Sequence, residues 1–260
     1  MKPRPRFPVQ LADSAPAGGP TKPMAPMAGV RAGLGMDSSA VRQSMVNKLA
    51  AQGLADPRVL AALRQVERHR FIESALANQA YEDTSLPIGL GQTISKPGVV
   101  GRMLELLLQA VAGQGPQARL GRVLEIGTGC GYQAALLSHL ASEVYSVERL
   151  RGLHDKAREN LRFMRLANVH LLLGDGMVGY AKGAPYAAII SAAGGDALPQ
   201  AWLDQLAVGG RLVAPVTQPG DRGGTKAGQQ ALMVVDRTAQ GFTQKILEPV
   251  LFVPLKSGIA

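Results

Sequence analysis

The residues best placed to do chemistry are three carboxylates and a run of glycines. In Val123-Leu124-Glu125-Ile126-Gly127-Thr128-Gly129-Cys130-Gly131-Tyr132, an apolar run passes straight into alternate glycines. Glycine is needed where the backbone turns sharply and must approach a ligand with no Cβ in the way. Glu125 stands two residues before Gly127, Glu148 lies 21 residues beyond it, and Asp175 falls within Gly174-Asp175-Gly176. Each acid closes a separate short apolar run, and in open α/β sheets ligands bind beyond the carboxyl ends of the strands. Glu148 suits an acceptor for two ribose hydroxyls, and Asp175 with Gly176 suits the amino group of adenine. The ligand implied contains adenosine.

Spacing narrows the choice. A dinucleotide fingerprint reads GxGxxG with a small third residue, whereas position 132 is Tyr and the glycines run GxGxG. No Lys-Ser/Thr follows, which excludes a P-loop. The only cysteine, Cys130, rules out a disulfide framework or a cysteine-based zinc cluster, and reads as a small loop residue rather than a nucleophile. His69, His139, His154 and His170 show no metal-ligand spacing, so no metal is expected.

The elements that must position these groups follow from periodicity. Ser38–Ser39 caps a helix carrying Val41, Met45 and Leu49, which Gly53 ends. Asp56-Pro57 opens a second helix. Residues 71–96 lack a period, and a third helix carries Val100, Met103, Leu104, Leu107, Leu108 and Val111. Apolar runs at 122–126, 144–147, 169–173, 187–190 and 212–216 then alternate with helical stretches at 133–140, 150–166 and 198–206, with a short glycine-punctuated piece near 176–182. That alternation predicts a doubly wound, mostly parallel α/β sheet. Runs at 231–238 and 242–255 flank a glycine turn and predict an antiparallel hairpin at its edge. Trp202 reads as packing.

The chain has 28 Lys+Arg against 19 Asp+Glu, a formal charge of +9. Residues 1–36 hold five basic side chains, one acid, seven prolines and five glycines. They predict a disordered extension, either solvated or touching anions. They contain no apolar stretch of the kind a secretory signal needs. No apolar run nears the ~20 residues of a membrane span. The folded remainder carries too little excess charge to make nucleic acid an expected partner.

The acid, the GxGxG loop and the second and third acids together resemble the S-adenosylmethionine-dependent class I methyltransferases. The resemblance implies that Glu125, Gly127, Gly129, Cys130 and Gly131 hold the methionine part, Glu148 the ribose, and Asp175 and Gly176 the adenine. Ser191-Ala192-Ala193-Gly194-Gly195 stands where amino-directed nucleic-acid methyltransferases place an Asn/Asp-Pro-Pro-aromatic motif. Leu86-Pro87-Ile88-Gly89-Leu90-Gly91-Gln92-Thr93-Ile94-Ser95, Val147-Glu148-Arg149, Gly209–Val216 and Phe252-Val253-Pro254-Leu255 resemble, more narrowly, the protein-L-isoaspartate O-methyltransferases over residues 40–256.

That family implies methylation of the free α-carboxylate of L-isoaspartyl residues in damaged proteins, with S-adenosylhomocysteine as product and repair through a succinimide. The fold implied is a seven-stranded Rossmann-like sheet. Residues 37–112 would supply a helical cap and active-site segment, and 113–260 the cofactor-binding sheet. A cytoplasmic monomer is expected. By resemblance Ser95 is the active-site serine, and Thr93 and Ile94 line the methionine end. From its own neighbours alone, Ser95 before Lys96-Pro97 reads more readily as a helix cap. Departures are Leu251, where many bacterial members carry Arg, and Gly194-Gly195, which predicts a looser loop. A different acceptor, or a non-catalytic nucleic-acid-associated protein, remain the alternatives.

Overall fold

The computed structural model describes residues 39–115, 117–218 and 228–260; the basic extension 1–36 lies outside them. Helix α1 spans Ser39–Ala51 and α2 Pro57–Gln65. The Asp56 carboxylate accepts the Arg58 amide at 2.9 Å, so Asp caps and Pro57 begins α2 as its sequence requires. Residues 71–96, without a period, contain a small antiparallel pair, β1 (Leu86–Gly89) and β2 (Gln92–Ile94). Strands this short carry too few residues to show alternation. Helix α3 follows at Pro97–Leu108 and is buried on nearly every side.

The remaining elements are β3 (Leu120–Ile126), α4 (Tyr132–Leu140), β4 (Ala141–Glu148), α5 (Arg151–Arg162), β5 (Val169–Leu173), β6 (Tyr186–Ser191), α6 (Gln200–Gln205), β7 (Leu206–Thr217), β8 (Gln230–Thr238) and β9 (Gly241–Val250). Seven strands form one sheet in the order β5-β4-β3-β6-β7-β8-β9. Five run parallel, and β8 and β9 add antiparallel at one edge. The order reverses at β3, so its carboxyl end and that of β6 open on a crevice.

Alternation along β3 sends Val123 to one face and Leu124 and Ile126 to the other. The first face packs on α1–α5. The second is covered more thinly, by α6 and short 3₁₀ turns at Gly176–Val178 and Ala181–Gly183. Trp202 fills that layer, 1% exposed, and donates its indole N–H to the Gly176 carbonyl at 2.8 Å.

Several boundaries differ from the periodicity, those of α5 and β9 among them. Helix α5 stops at Arg162, and Arg165 turns left-handed with φ 49°. Strand β9 stops at Val250, because the chain beyond it turns under the sheet. There Leu255 donates to the Gly194 carbonyl at 2.7 Å and Gly194 to that of Val253 at 2.9 Å. Thr217 also donates to the Gly195 carbonyl at 2.9 Å. The Gly194-Gly195 loop is therefore pinned on both sides rather than loose. No helix among the described residues is long and apolar enough to cross a membrane.

Candidate active site

A pocket of about 200 Å³ opens at the carboxyl ends of β3 and β4. Its wall includes eight of the residues singled out above: Thr93, Ile94, Ser95, Gly127, Gly129, Cys130, Glu148 and Gly176. The strand and the glycine turn explain the cradle. The Gly129 backbone is left-handed at φ 56°, and a Cβ there would stand 3.2 Å from Ile88 Cδ1 of β1. Its N–H points at Glu148, whose Oε2 accepts it at 2.8 Å. The other Glu148 oxygen accepts the Leu150 amide at 2.9 Å. Two backbone donors thus fix the carboxylate at the pocket wall, and an ionised carboxylate has lone pairs left for hydroxyls.

Three of the expected residues stand outside that wall. Glu125 is fully buried beneath it on the α4 side, and its Oε2 accepts from the Ser146 hydroxyl. Burial pushes its carboxyl up to about 8, with Ser146 and Gln133 pulling the other way. Gly131 turns into α4 facing Leu161 and Ala157 of α5, which makes it a packing position. Asp175 accepts the Met177 amide at 2.8 Å through Oδ1 and the Gly258 amide at 2.7 Å through Oδ2. The last residues therefore fold back beside the third acid. Arg149 donates to the Gly258 carbonyl at 3.0 Å, and Arg151 and Ala260 pair with one another's neighbourhood through Arg151 N–H to Ala260 C=O and Ala260 N–H to Arg149 C=O, both 2.8 Å.

Ser95 is half-buried at the pocket, and its hydroxyl has no hydrogen-bond partner among the described residues. It does not cap α3. The residue flanking that helix is Lys96, and the free amide of Gly98 is taken at 2.7 Å by the Asp83 carboxylate from outside. The backbone on either side of Asp83 is held by a buried cation. Arg68, 0% exposed, donates Nε to the Ala80 carbonyl at 2.8 Å and Nη2 to that of Thr84 at 3.1 Å. Its guanidinium lies 5.0 Å over the ring of Tyr132, which lines the pocket. Loss of hydration lowers the Arg68 pKa from its usual value.

Sequence reasoning missed Arg68 and Asp83, which lie in no motif. It also missed Gln133, whose buried Nε2 lines the pocket without a hydrogen bond among the described residues. Val253, Pro254, Leu255 and Lys256 contribute a wall too; their motif signalled resemblance but not a role. Cys130 is buried, and burial pushes its thiol up to about 11, so it stays protonated near neutral pH. Leu251 is 92% exposed and outside the wall.

A glycine cradle at a strand end, an acid on the next strand and a sheet with its last strand pair antiparallel define a class I methyltransferase site. The anchored Glu148 acceptor beside the glycine cradle fits a cofactor with ribose hydroxyls. Residues 40–260 match the family model for protein-L-isoaspartate(D-aspartate) O-methyltransferase, and the chain belongs to that family. It is 53% identical to the protein-L-isoaspartate O-methyltransferase of Methylibium petroleiphilum, covering 99% of this chain and 98% of that one. Identity to the Leptothrix cholodnii protein of the same name is 58%, over 88% and 78% of the two chains. A solved protein-L-isoaspartate O-methyltransferase superposes with a TM-score of 0.70 at 25% identity, over 84% of this chain and 67% of that one.

Proposed function

We propose that this chain methylates the free α-carboxylate of L-isoaspartyl residues in damaged proteins, with Ser95 as the group that holds the acceptor. S-adenosylmethionine is the methyl donor. When bound, it supplies an electrophilic methyl group on a positively charged sulfur, and that charge is lost with the departing thioether. The backbone of Gly127, Gly129 and Cys130, with Thr93 and Ile94, is read as holding the methionine end. Glu148 takes the ribose hydroxyls, and Gly176 and Asp175 border the adenine.

The observation that carries the reading is the free Ser95 hydroxyl at a pocket that the glycine turn also lines. An α-carboxylate is already ionised near neutral pH, so no base has to remove a proton. Ser95 donates to one carboxylate oxygen and leaves the other to attack the methyl carbon in line. The chain's contribution is orientation, together with water exclusion by β1, β2 and residues 253–256. The ester formed is the activated group from which a succinimide closes.

The acting form proposed is a monomer. A single cysteine, with no disulfide to form within the chain, supports action in the cytoplasm. The test is methyl transfer from labelled donor to matched peptides carrying L-isoaspartate or normal aspartate, with Ser95→Ala alongside. Transfer to the isoaspartyl peptide alone, reduced in the variant, is expected. No transfer to either peptide, with donor binding intact, would return the search to other acceptors.

A further inference from the structure

The tip of the β1–β2 hairpin holds a backbone outlier. Gly89, Leu90 and Gly91 are three consecutive left-handed residues, with φ of 96°, 52° and 68°. Glycine adopts this conformation freely and leucine does not. A third glycine would make the same turn without strain, so the leucine side chain is the feature to be explained. It is 63% exposed, unusual for an apolar side chain, and yet it lines the cofactor pocket. A residue held in a sparsely populated conformation at a pocket points to a role there.

The surroundings show which part of the pocket it serves. Leu90 Cδ1 lies 3.1 Å from where a Cβ on Gly152 would stand, so the missing side chain on α5 makes its seat. One turn further along α5, Lys156 donates its ammonium to the Ile88 carbonyl at 2.9 Å and clamps the hairpin from the same side. Gly152 begins four residues after Glu148, and Leu150 and Leu153 line the same wall. Leu90 therefore stands over the α5 side of the pocket, where the ribose acceptor Glu148 leads into the helix.

We propose that Leu90 is a cofactor-retaining residue, a fixed apolar cover on the nucleoside end of S-adenosylmethionine and of the S-adenosylhomocysteine left after transfer. Its exposed surface is buried when the nucleoside is in place, and the clamp from Lys156 keeps it there without a further ordering cost. A ligand held under this side chain must displace it to leave, so Leu90 sets residence time more than arrival. The inference rests on the pocket being the cofactor site.

Stopped-flow dissociation of S-adenosylhomocysteine from the full chain tests it, with Leu90→Ala, Leu90→Gly and Gly152→Ala beside the parent. Dissociation about three- to tenfold faster is expected for both Leu90 variants, from the apolar area lost. Gly152→Ala, which displaces Leu90 from its seat, is expected to speed release too. Leu90→Gly relieves the turn, so its melting temperature stays level or rises while the ligand leaves faster; a merely structural leucine cannot produce those opposite movements. Unchanged dissociation in all three variants overturns the proposal, as does a change confined to KM for the isoaspartyl peptide. Failure of the parent itself to bind S-adenosylhomocysteine would instead overturn the assignment of the pocket.

Discussion

The Asp83 carboxylate accepts the Gly98 amide at 2.7 Å, and so performs for α3 the task that Ser95 would otherwise perform as a cap. Glycine at 98 permits the approach, since a Cβ there would stand 3.0 Å from both Asp83 oxygens. The serine hydroxyl is thereby left free of the helix end. Removing the carboxylate in Asp83→Ala costs about 1 kcal/mol of stability, the usual loss for a helix cap. Turnover should fall further than that loss suggests, while S-adenosylhomocysteine affinity stays near the parent value. Thermal melts, kcat and calorimetric titration separate the three quantities. Equal losses of affinity and turnover would mean that Asp83 supports the whole pocket rather than Ser95.

Glu148 anchors the other side. Its two oxygens accept the Gly129 and Leu150 amides, at 2.8 and 2.9 Å, so it shapes the glycine turn as well as facing the ligand. Glu148→Ala removes both anchors and the proposed ribose acceptor. At about 2 kcal/mol for a hydrogen bond to a charged group, cofactor affinity should drop on the order of 30-fold or more. Glu148→Gln keeps an acceptor but not the charge, and is expected to fall between. Isothermal titration with S-adenosylhomocysteine reads both.

The sheet and the glycine cradle were legible because buried parallel strands and tight turns impose their composition locally. Val169–Leu173 was readable to the residue, and Glu148 by its distance from Gly127. The hairpin at 86–94 was not, because its strands are too short to alternate. Neither were Arg68 and Asp83, whose partners are backbone groups brought close only by the fold. Ser95 illustrates the limit: its neighbours allow a cap, and only the arrival of Asp83 from fifteen residues away in the chain decides against one. The motif contains Glu125 and Gly131 as well, and it does not show that Glu125 is buried under α4 or that Gly131 packs on α5.

Gly176 tests how tightly the third strand end is packed. A Cβ there would lie 2.7 Å from Ile126 Cγ2, on the last residue of β3. Ile126 lines the pocket and is 1% exposed, so it has little room to retreat. Gly176→Ala should cost about 1–3 kcal/mol by overpacking and weaken cofactor binding with it. Gly113→Ala, where a Cβ meets open space, should leave both within error. Denaturant unfolding of the two variants gives the comparison, and equal stability would show that β3 yields.

The buried Glu125 makes a prediction in pH. Its carboxyl, ordinarily near 4.5, is pushed up to about 8 by loss of hydration in the folded chain. Between those values the folded state retains a proton that the unfolded state has released. Stability from this group is therefore complete below about 4.5, falls as pH rises toward about 8, and levels off above it. Ser146 donates to the same carboxyl and reduces the fall without reversing it. Glu125→Gln has no proton to lose and should remove this slope. In cofactor-free protein, the melting temperature of the variant relative to the parent should rise steadily from pH 5 to pH 8.5. Parallel melting curves across that range would mean that Glu125 is ionised in the folded state, paired with the amide of Gln133 more closely than its burial implies.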